Sequence, residues 1–242
     1  MSADNDIATA LVIGSSGAIG SALVTHFLDS GHYKVVAVSR QQASVEHPSL
    51  SWHQTDHSDS SMEQVAAHLA DPAIDLQRVA ICTGVLHADT FRPEKKIEQL
   101  TTDAMETVFA VNVFLPMRWL RALTKPLSRS SAVVSVLSAR VGSIGDNRSG
   151  GWYSYRSSKA ALNMMLQSLS VEYARRARGV KLIAFHPGTT DSALSQPFQR
   201  AVPEGKLFSP DFVAKQLAGI MDNAVANGSL SYLDWEGKSM PW

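Results

Sequence analysis

The feature that most constrains the fold of this chain is an alternation between short apolar runs and longer segments with helical periodicity. Several of the runs are apolar without an alternating polar position, which is typical of strands that are covered on both faces. Strands are predicted at residues 8–14, 33–39, 77–83, 131–138, 180–186 and 230–235, with a weaker candidate at 49–55. The pattern predicts an α/β fold: a doubly wound three-layer sandwich with a parallel sheet of about seven strands and helices on both faces.

The chain is expected to form a single domain that spans residues 1–242. Its 242 residues are 45% hydrophobic, which is enough for a sizeable core, and no internal repeat or flexible linker interrupts the pattern. Two stretches read as irregular loops, at 139–151 and 187–210, and both begin where a predicted strand ends. Ligands of parallel α/β sheets bind outside the carboxyl ends of the strands, so both loops should border the substrate site.

The composition excludes several functional classes. Lysine and arginine number 22 against 22 acidic residues, so no electrostatic footprint for nucleic acid or an anionic membrane is present. The only cysteine, Cys82, rules out an internal disulfide and leaves too few thiolates for a structural zinc site, and no metal is predicted. The start of the chain lacks the pattern of a signal peptide and no apolar run has the length of a membrane span, which favours a cytoplasmic location.

A glycine-rich turn follows the first predicted strand and precedes a helix. Gly14, Gly17 and Gly20 stand in "LVIGSSGAIGSAL", where glycines let the backbone turn tightly and approach a pyrophosphate held on the positive end of the helix. Ser16 breaks the literal G-x-G-x-x-G fingerprint of a Rossmann-type domain. The order of strand, turn and helix predicts a dinucleotide site, and the alternative is a turn that needs glycine only for its geometry.

The ends of the second and third strands indicate which dinucleotide binds. The second strand ends in Ser39 and Arg40, whereas sites for NAD place an acidic residue there and sites for NADP an arginine. NADP(H) is therefore predicted over NAD(H), the alternative being that Arg40 only extends into solvent. Asp56, which follows the third strand, could accept a hydrogen bond from the adenine amino group, although such a residue more often caps a turn.

A tyrosine and a lysine lie one helical turn apart in "YRSSK". On its own the pair Tyr155 and Lys159 favours a packing interpretation. Reduction of a carbonyl, however, needs a proton donor, and a nearby ammonium lowers the pKa of a phenol. Ser138, at the end of the fifth strand, would be the second donor to the carbonyl oxygen. Ser135 and Ser131 are alternatives that lie deeper in that strand.

The motifs, taken in order along nearly the whole chain, resemble those of the short-chain dehydrogenase/reductase family in its form of about 250 residues. They are "GSSGAIG", "DHSD", "CTGVLH", "VNV", "VLS", "YRSSK" and "HPGTTDS". A looser similarity, in "HPGTTDSALSQPFQ" and "YLDWEGKSMPW", links the chain to the branch of the C-factor signalling protein and small carbonyl reductases.

The resemblance implies a role for each matched residue. Tyr155 would be the general acid in reduction and the base in oxidation, while Lys159 would lower its pKa and hold the nicotinamide ribose. Ser138 would polarise the carbonyl, and Asn112 would hold a water that connects Lys159 to solvent. The predicted cofactor-binding residues are Gly14, Ser16, Gly17, Ile19, Gly20, Ser39, Arg40, Asp56, Thr83, Gly84, Tyr155, Lys159, Pro187, Gly188 and Thr190.

The chain also departs from the family's pattern at three places. Ile13 and Ala18 replace a threonine and a glycine of the first turn, which leaves the G-x-x-G-x-x-G spacing of longer, epimerase-like relatives. The usual N-N-A-G is Ile81-Cys82-Thr83-Gly84, so contacts of asparagine side chains with the cofactor are lost there. The interval between Ser138 and Tyr155 is longer than usual, and the added residues are expected to shape substrate access.

The predicted function is an NADP(H)-dependent oxidoreductase that interconverts a ketone or aldehyde with an alcohol. One alternative is a nucleotide-binding signalling or regulatory protein without turnover, which the lost asparagines favour. Another is a sugar-nucleotide epimerase or dehydratase, which the glycine spacing favours and the chain length opposes. The partners implied are a small-molecule substrate and, by family resemblance, a second copy of the chain in a homo-oligomer (dimer or tetramer).

Overall fold

The computed structural model describes residues 7–43 and 45–242; the stretch before Ile7, part of the segment in which no signal peptide is predicted, lies outside them. The main strands are β1 (Ala8–Ile13), β2 (Tyr33–Ser39), β3 (Leu50–Gln54), β4 (Leu76–Ile81), β5 (Val133–Leu137) and β6 (Lys181–His186), followed by β7 (Thr189–Thr190), β8 (Leu207–Phe208) and β9 (Leu230–Asp234). The α-helices are α1 (Ala18–Ser30), α2 (Asp59–Leu69), α3 (Thr102–Phe109), α4 (Leu115–Ala122), α5 (Thr124–Leu127), α6 (Tyr153–Arg176) and α7 (Pro210–Asp222). No helix in these two ranges combines the length and apolar character of a membrane span.

Seven strands form one sheet in the order β3-β2-β1-β4-β5-β6-β9. Every pairing between neighbours is parallel. The chain winds outward from β1 to β3, then returns to add β4 beside β1 and continues to the other edge. The sheet therefore reverses its winding direction between β1 and β4, which is where ligands of doubly wound sheets bind. This confirms the predicted fold class, including the weak third strand.

Both faces of the sheet are buried, as the lack of alternation in the strands predicts. Ala10 and Val12 of β1 pack in a core with α1 and α7. Leu11 and Ile13, which point to the opposite face, pack in a second core with α2, α4 and α6. The two cores fix the sheet between two helical layers, so that the loops at its carboxyl edge rest on a rigid support.

The long helical segment that follows β4 is not one regular α-helix. Between α3 and α4 the backbone forms a π-helical turn over Ala110–Phe114, with Asn112 buried at its centre. Pro116 has no N–H to donate to the carbonyl of residue 112, so the regular α-helical ladder cannot continue there. π-Helical turns are frequent at functional sites, and this one turns Asn112 toward the end of β4.

The loop predicted at 187–210 contains short regular structure. Thr189–Thr190 (β7) pairs in parallel with Leu207–Phe208 (β8), and a 3₁₀ helix spans Gln196–Ala201 between them. The other predicted loop contains a single 3₁₀ turn, Arg140–Gly142, before α6 begins. Both segments lie at the carboxyl ends of strands, β6 and β5 respectively.

Candidate active site

The glycine turn lies between β1 and α1, at the point where the sheet reverses direction. Gly14 has φ +83°, and a Cβ there would lie 3.1 Å from the backbone carbon of Cys82. A Cβ on Gly20 would lie only 2.3 Å from the carbonyl oxygen of Gly14, so α1 packs against the turn more closely than any side chain permits. Gly17 is the N-cap of α1, and Ile19 is the second residue of that helix. The turn thus presents the N-terminus of α1 to the sheet edge, as a pyrophosphate site requires.

Two hydroxyl groups meet beside this turn, and a cationic residue follows one of them in sequence. The Ser39 hydroxyl, at the end of β2, donates to the Ser16 Oγ at 2.7 Å. Arg40 follows and is exposed to solvent, while its carbonyl accepts a hydrogen bond from the Gln54 side chain at 3.0 Å. The structure thus brings the hydroxyls of Ser16 and Ser39 together, with Arg40 next in the chain, and the chemistry of these three residues fits a phosphate group.

Asp56 forms a turn at the start of α2. Its Oδ1 accepts hydrogen bonds from the Ser58 backbone N–H at 2.8 Å and from the Ser61 hydroxyl at 3.0 Å. These bonds to Ser58 and Ser61 lower the pKa of Asp56 to about 2. Asp56 therefore serves as a turn residue, and its contact with adenine stays a prediction.

Three buried hydroxyls at the carboxyl edge of the sheet have no hydrogen-bond partner among the described residues. They belong to Ser15 after β1, Thr83 after β4, and Thr190 after β6. Buried polar groups are nearly always paired, and an unpaired group calls for an explanation. A bound dinucleotide would supply polar groups along this edge, so the residues present fit such a cofactor. Gly188, with φ +72°, and Pro187 lead the chain into the Thr190 segment.

Asn112 connects the end of β4 with α6. Its carboxamide oxygen accepts from the Val85 backbone N–H at 2.8 Å, and its amide nitrogen donates to the Val85 carbonyl at 2.9 Å and the Ser158 hydroxyl at 3.1 Å. A Cβ on Gly84 would lie 3.6 Å from the Asn112 oxygen and 3.8 Å from the Lys159 amine. The structure therefore gathers Gly84, Asn112 and Lys159, while the water between the last two stays a prediction.

Lys159 and Tyr155 occupy the first turns of α6, as predicted. The Lys159 amine donates to the Leu137 carbonyl at 2.8 Å and lies 5.8 Å from the centroid of the Tyr155 ring. Burial lowers the pKa of Lys159 to about 8. Burial, and next the charge of Tyr232, raises the pKa of Tyr155. In this arrangement Tyr155 thus remains a protonated phenol, the form that a general acid requires.

Ser138 is buried at the end of β5 in a network that sequence reasoning missed. Its hydroxyl donates to the carboxamide oxygen of Asn163 at 2.6 Å. The Tyr232 hydroxyl donates to the Ala139 carbonyl at 2.7 Å, and hydrogen bonds with Asn163 and Ser138 offset part of the rise that burial causes in the Tyr232 pKa. The single Ser138 proton is thus engaged, so its predicted role as a donor requires the hydroxyl to turn from Asn163. Asn163 lies four residues after Lys159, a spacing that places both on one helix face.

A series of ring contacts begins at Tyr155 and joins three segments of the chain. The Trp152 ring lies 6.3 Å from the Tyr155 ring and 5.0 Å from the Phe198 ring, measured between centroids. His87 lies 5.8 Å from Phe198. His87 and Phe198 stand within the quoted stretches "CTGVLH" and "HPGTTDSALSQPFQ", but those resemblances gave neither residue a role at the site. The loop predicted at 187–210 thus reaches the start of α6 through the contact of Phe198 with Trp152.

This arrangement combines a glycine turn suited to a dinucleotide with a tyrosine and a buried lysine on α6. A family model described as short chain dehydrogenase matches residues 8–202. The chain belongs to the short-chain dehydrogenase family. It is therefore an oxidoreductase by family, and the resemblance found in the sequence is confirmed.

Two curated relatives from different bacteria illustrate the range of this family. The chain is 31% identical over 185 residues to 1-hydroxy-2-glutathionyl-2-methyl-3-butene dehydrogenase of Rhodococcus sp. (strain AD45), covering 76% of each protein. It is also 31% identical over 139 residues to C-signal of Myxococcus xanthus, covering 57% of this chain and 78% of that protein. The looser similarity to the C-factor branch is thereby confirmed.

Solved structures show the same fold. An NADPH-bound carbonyl reductase from chicken fatty liver superimposes with a TM-score of 0.81 at 23% identity, covering 98% of this chain and 99% of that one. At this identity the similarity establishes the architecture, and the chemistry of this site must be argued from its own residues.

Proposed function

We propose that this short-chain dehydrogenase uses NADP(H) to interconvert a ketone or aldehyde with an alcohol, with Tyr155 as the general acid and base. One observation carries the proposal. The Lys159 amine lies 5.8 Å from the centroid of the Tyr155 ring, one helical turn away, and a Cβ on Gly84 would lie 3.8 Å from that amine. When bound, the cofactor supplies the hydride, and the protein must supply the proton and stabilise the developing charge.

Each residue of the site has a defined task in this proposal. Tyr155 donates its proton to the carbonyl oxygen as the alkoxide forms, and it takes that proton back in the direction of oxidation. The Lys159 ammonium stabilises the resulting phenolate. Asn112 fixes the turn at Val85 by two hydrogen bonds. In this way it keeps open the path by which a proton from solvent returns to Lys159. Ser138, once turned away from Asn163, donates a second hydrogen bond to the carbonyl oxygen.

The preference for NADP(H) rests on Arg40 and on the hydroxyl pair of Ser39 and Ser16. A guanidinium next to hydroxyl donors recognises a 2′-phosphate, whereas the 2′-hydroxyl of NAD is recognised by a carboxylate. The chain has no acidic residue at position 39 or 40. The binding of NADPH to the solved carbonyl reductase with the same fold is consistent with this preference.

A second candidate function is nucleotide binding without turnover. The engagement of the Ser138 hydroxyl by Asn163 favours it, as does the similarity to C-signal. The two candidates differ in one measurement, the oxidation of NADPH across a broad panel of aromatic and aliphatic ketones and aldehydes. Turnover by the wild type that Tyr155→Phe loses supports the enzyme. Tight NADPH binding with no turnover above that of Tyr155→Phe supports the second candidate.

The proposal also covers which loops recognise the substrate and whether the protein forms a homo-oligomer. We assign substrate recognition to residues 139–151 and 187–210 of a single domain, because both loops lie at the carboxyl ends of β5 and β6 next to Tyr155. The homo-oligomer stays a prediction, and light scattering of the purified protein measures it.

A further inference from the structure

A buried carboxylate outside the motifs holds the start of the helix that carries Tyr155. Glu94, in the segment between β4 and α3, is only 3% exposed. Its Oε2 accepts from the Ser154 backbone N–H at 3.2 Å, and its Oε1 accepts from the Ser154 hydroxyl. Its backbone carbonyl accepts from the Trp152 N–H at 2.5 Å. Glu94 is thus bonded to both neighbours of Tyr153, and the second of them directly precedes Tyr155.

The helix α6 needs this external cap because its own sequence supplies none. Its N-cap residue, Trp152, makes no capping hydrogen bond from its side chain, and no acidic residue lies in its first turn. A helix normally satisfies its first N–H groups with a side chain at the N-cap, and a negative charge there is stabilised by the helix dipole. Glu94 supplies both the acceptor and the charge from 60 positions away.

The backbone that enters α6 is strained, so its geometry depends on contacts with other segments of the chain. Gly150 and Gly151 have φ +62° and +63°, and Trp152 has φ +52°. A tryptophan in the left-handed region is unfavourable and persists only where surrounding contacts impose it. A Cβ on Gly151 would lie 3.2 Å from the Glu94 carbonyl oxygen, so the segment of Glu94 packs directly on this turn.

The two functional residues of α6 are therefore fixed by different parts of the fold. Lys159 is held by the Leu137 carbonyl at the end of β5. Tyr155 follows immediately after the residue that Glu94 binds. The distance between phenol and ammonium depends on both anchors, and a displacement of about 1 Å in an active site can cost about 100-fold in rate.

We infer that Glu94 is a positioning residue for Tyr155, which acts by capping α6 through Ser154. This inference rests on the proposed function insofar as Tyr155 is the acid and base. It also makes a claim about structure alone: that the start of α6 opens more easily when the Glu94 carboxylate is removed.

Glu94→Gln tests the inference, because it keeps the size of the side chain and removes the charge and one acceptor oxygen. The matched control is Glu98→Gln, an exposed acid in the same segment. Glu94→Gln should lower kcat about 10- to 100-fold, while the Kd for NADPH stays that of wild type. In alcohol oxidation its pH profile should move to higher pH, because a phenol displaced from Lys159 is a weaker acid. Glu98→Gln should change none of these quantities.

Two further measurements separate positioning from a merely structural role. Hydrogen exchange should accelerate at the N–H groups of residues 152–156 in Glu94→Gln and remain unchanged in the sheet. Ser154→Ala, which removes only the hydroxyl bond, should lower kcat less, and the double variant should be no worse than Glu94→Gln because both act through one contact. Ser154→Ala also carries the test if Glu94→Gln does not fold.

The inference is overturned if Glu94→Gln melts at a lower temperature but keeps the kcat and pH profile of the wild type. It is equally overturned if hydrogen exchange at the start of α6 is unchanged. A wild type that binds NADPH without turnover refutes the proposed function instead. The exchange experiment still decides whether Glu94 caps the helix in that case.

Discussion

Lys159 should set the upper pH limit of carbonyl reduction. Burial lowers its pKa from 10.5 to about 8, which corresponds to about 3 kcal/mol of destabilisation of the ammonium at about 1.4 kcal/mol per pKa unit. Below pH 8 the ammonium is present and stabilises the phenolate that forms as Tyr155 gives up its proton. As the pH rises through the pKa the charge is lost, and one unit above it about a tenth of the molecules retain the ammonium.

The assay is the pH dependence of kcat/KM for the carbonyl at saturating NADPH, which reports the groups of the enzyme form that binds the carbonyl. The wild type should lose about tenfold per pH unit once the pH exceeds the pKa of Lys159. Lys159→Arg keeps its charge at every accessible pH, so its rate should be lower but should not fall above pH 8. Lys159→Met, with no charge to lose, should be slow at every pH in this range.

One result would refute this reasoning. If Lys159→Arg shows the same fall above pH 8 as the wild type, another group titrates there and the ammonium is not what supports Tyr155. The pKa of Tyr155 is raised by burial, so its own deprotonation belongs at higher pH than the predicted limit.

Three further substitutions test the cofactor and substrate contacts. Arg40→Asp should lower the preference for NADPH over NADH about 10- to 100-fold, because a charge-assisted hydrogen bond contributes about 1.5–3 kcal/mol; an unchanged ratio of kcat/KM for the two cofactors contradicts the assignment. Gly20→Ala places a Cβ 2.3 Å from the carbonyl oxygen of Gly14. It should lower the folding free energy by about 1–3 kcal/mol, measured by thermal melting, and it should also weaken NADPH binding, measured by titration. Ser138→Ala should lower kcat about 100-fold or more if its hydroxyl turns to the substrate, whereas an unchanged kcat would leave it a partner of Asn163 only.

Much of the fold follows from local sequence, because the strand signals are strong. The predicted and observed bounds of β2 agree, and those of β1 differ by a single residue. Both faces of the central strands are covered, so their apolar runs carry no ambiguity about which side is buried. Even the weak signal at 49–55 marks a real strand, since β3 (Leu50–Gln54) pairs along the edge of β2.

The parts that sequence did not predict depend on contacts between distant segments. The π-helical turn at Asn112 is bonded to the Val85 backbone by two hydrogen bonds. Nothing in the helical periodicity of the sequence indicates either bond. Glu94 lies seven residues after the "CTGVLH" motif and outside every quoted motif, and only the folded chain brings it to α6. The sequence does indicate that Asn163 shares a helix face with Lys159, because the two residues are four positions apart. Its hydrogen bond to Ser138, however, depends on the packing of β5 against α6.

The central claim is that Tyr155 transfers the proton in NADPH-dependent carbonyl reduction. The most direct test compares NADPH oxidation by wild type and Tyr155→Phe on one panel of carbonyls, with NADPH binding measured in parallel. The phenylalanine keeps the ring that packs against Trp152 and removes only the hydroxyl. The account predicts equal NADPH affinity and turnover by the wild type alone. Equal rates of NADPH oxidation by the two proteins on every carbonyl would contradict it.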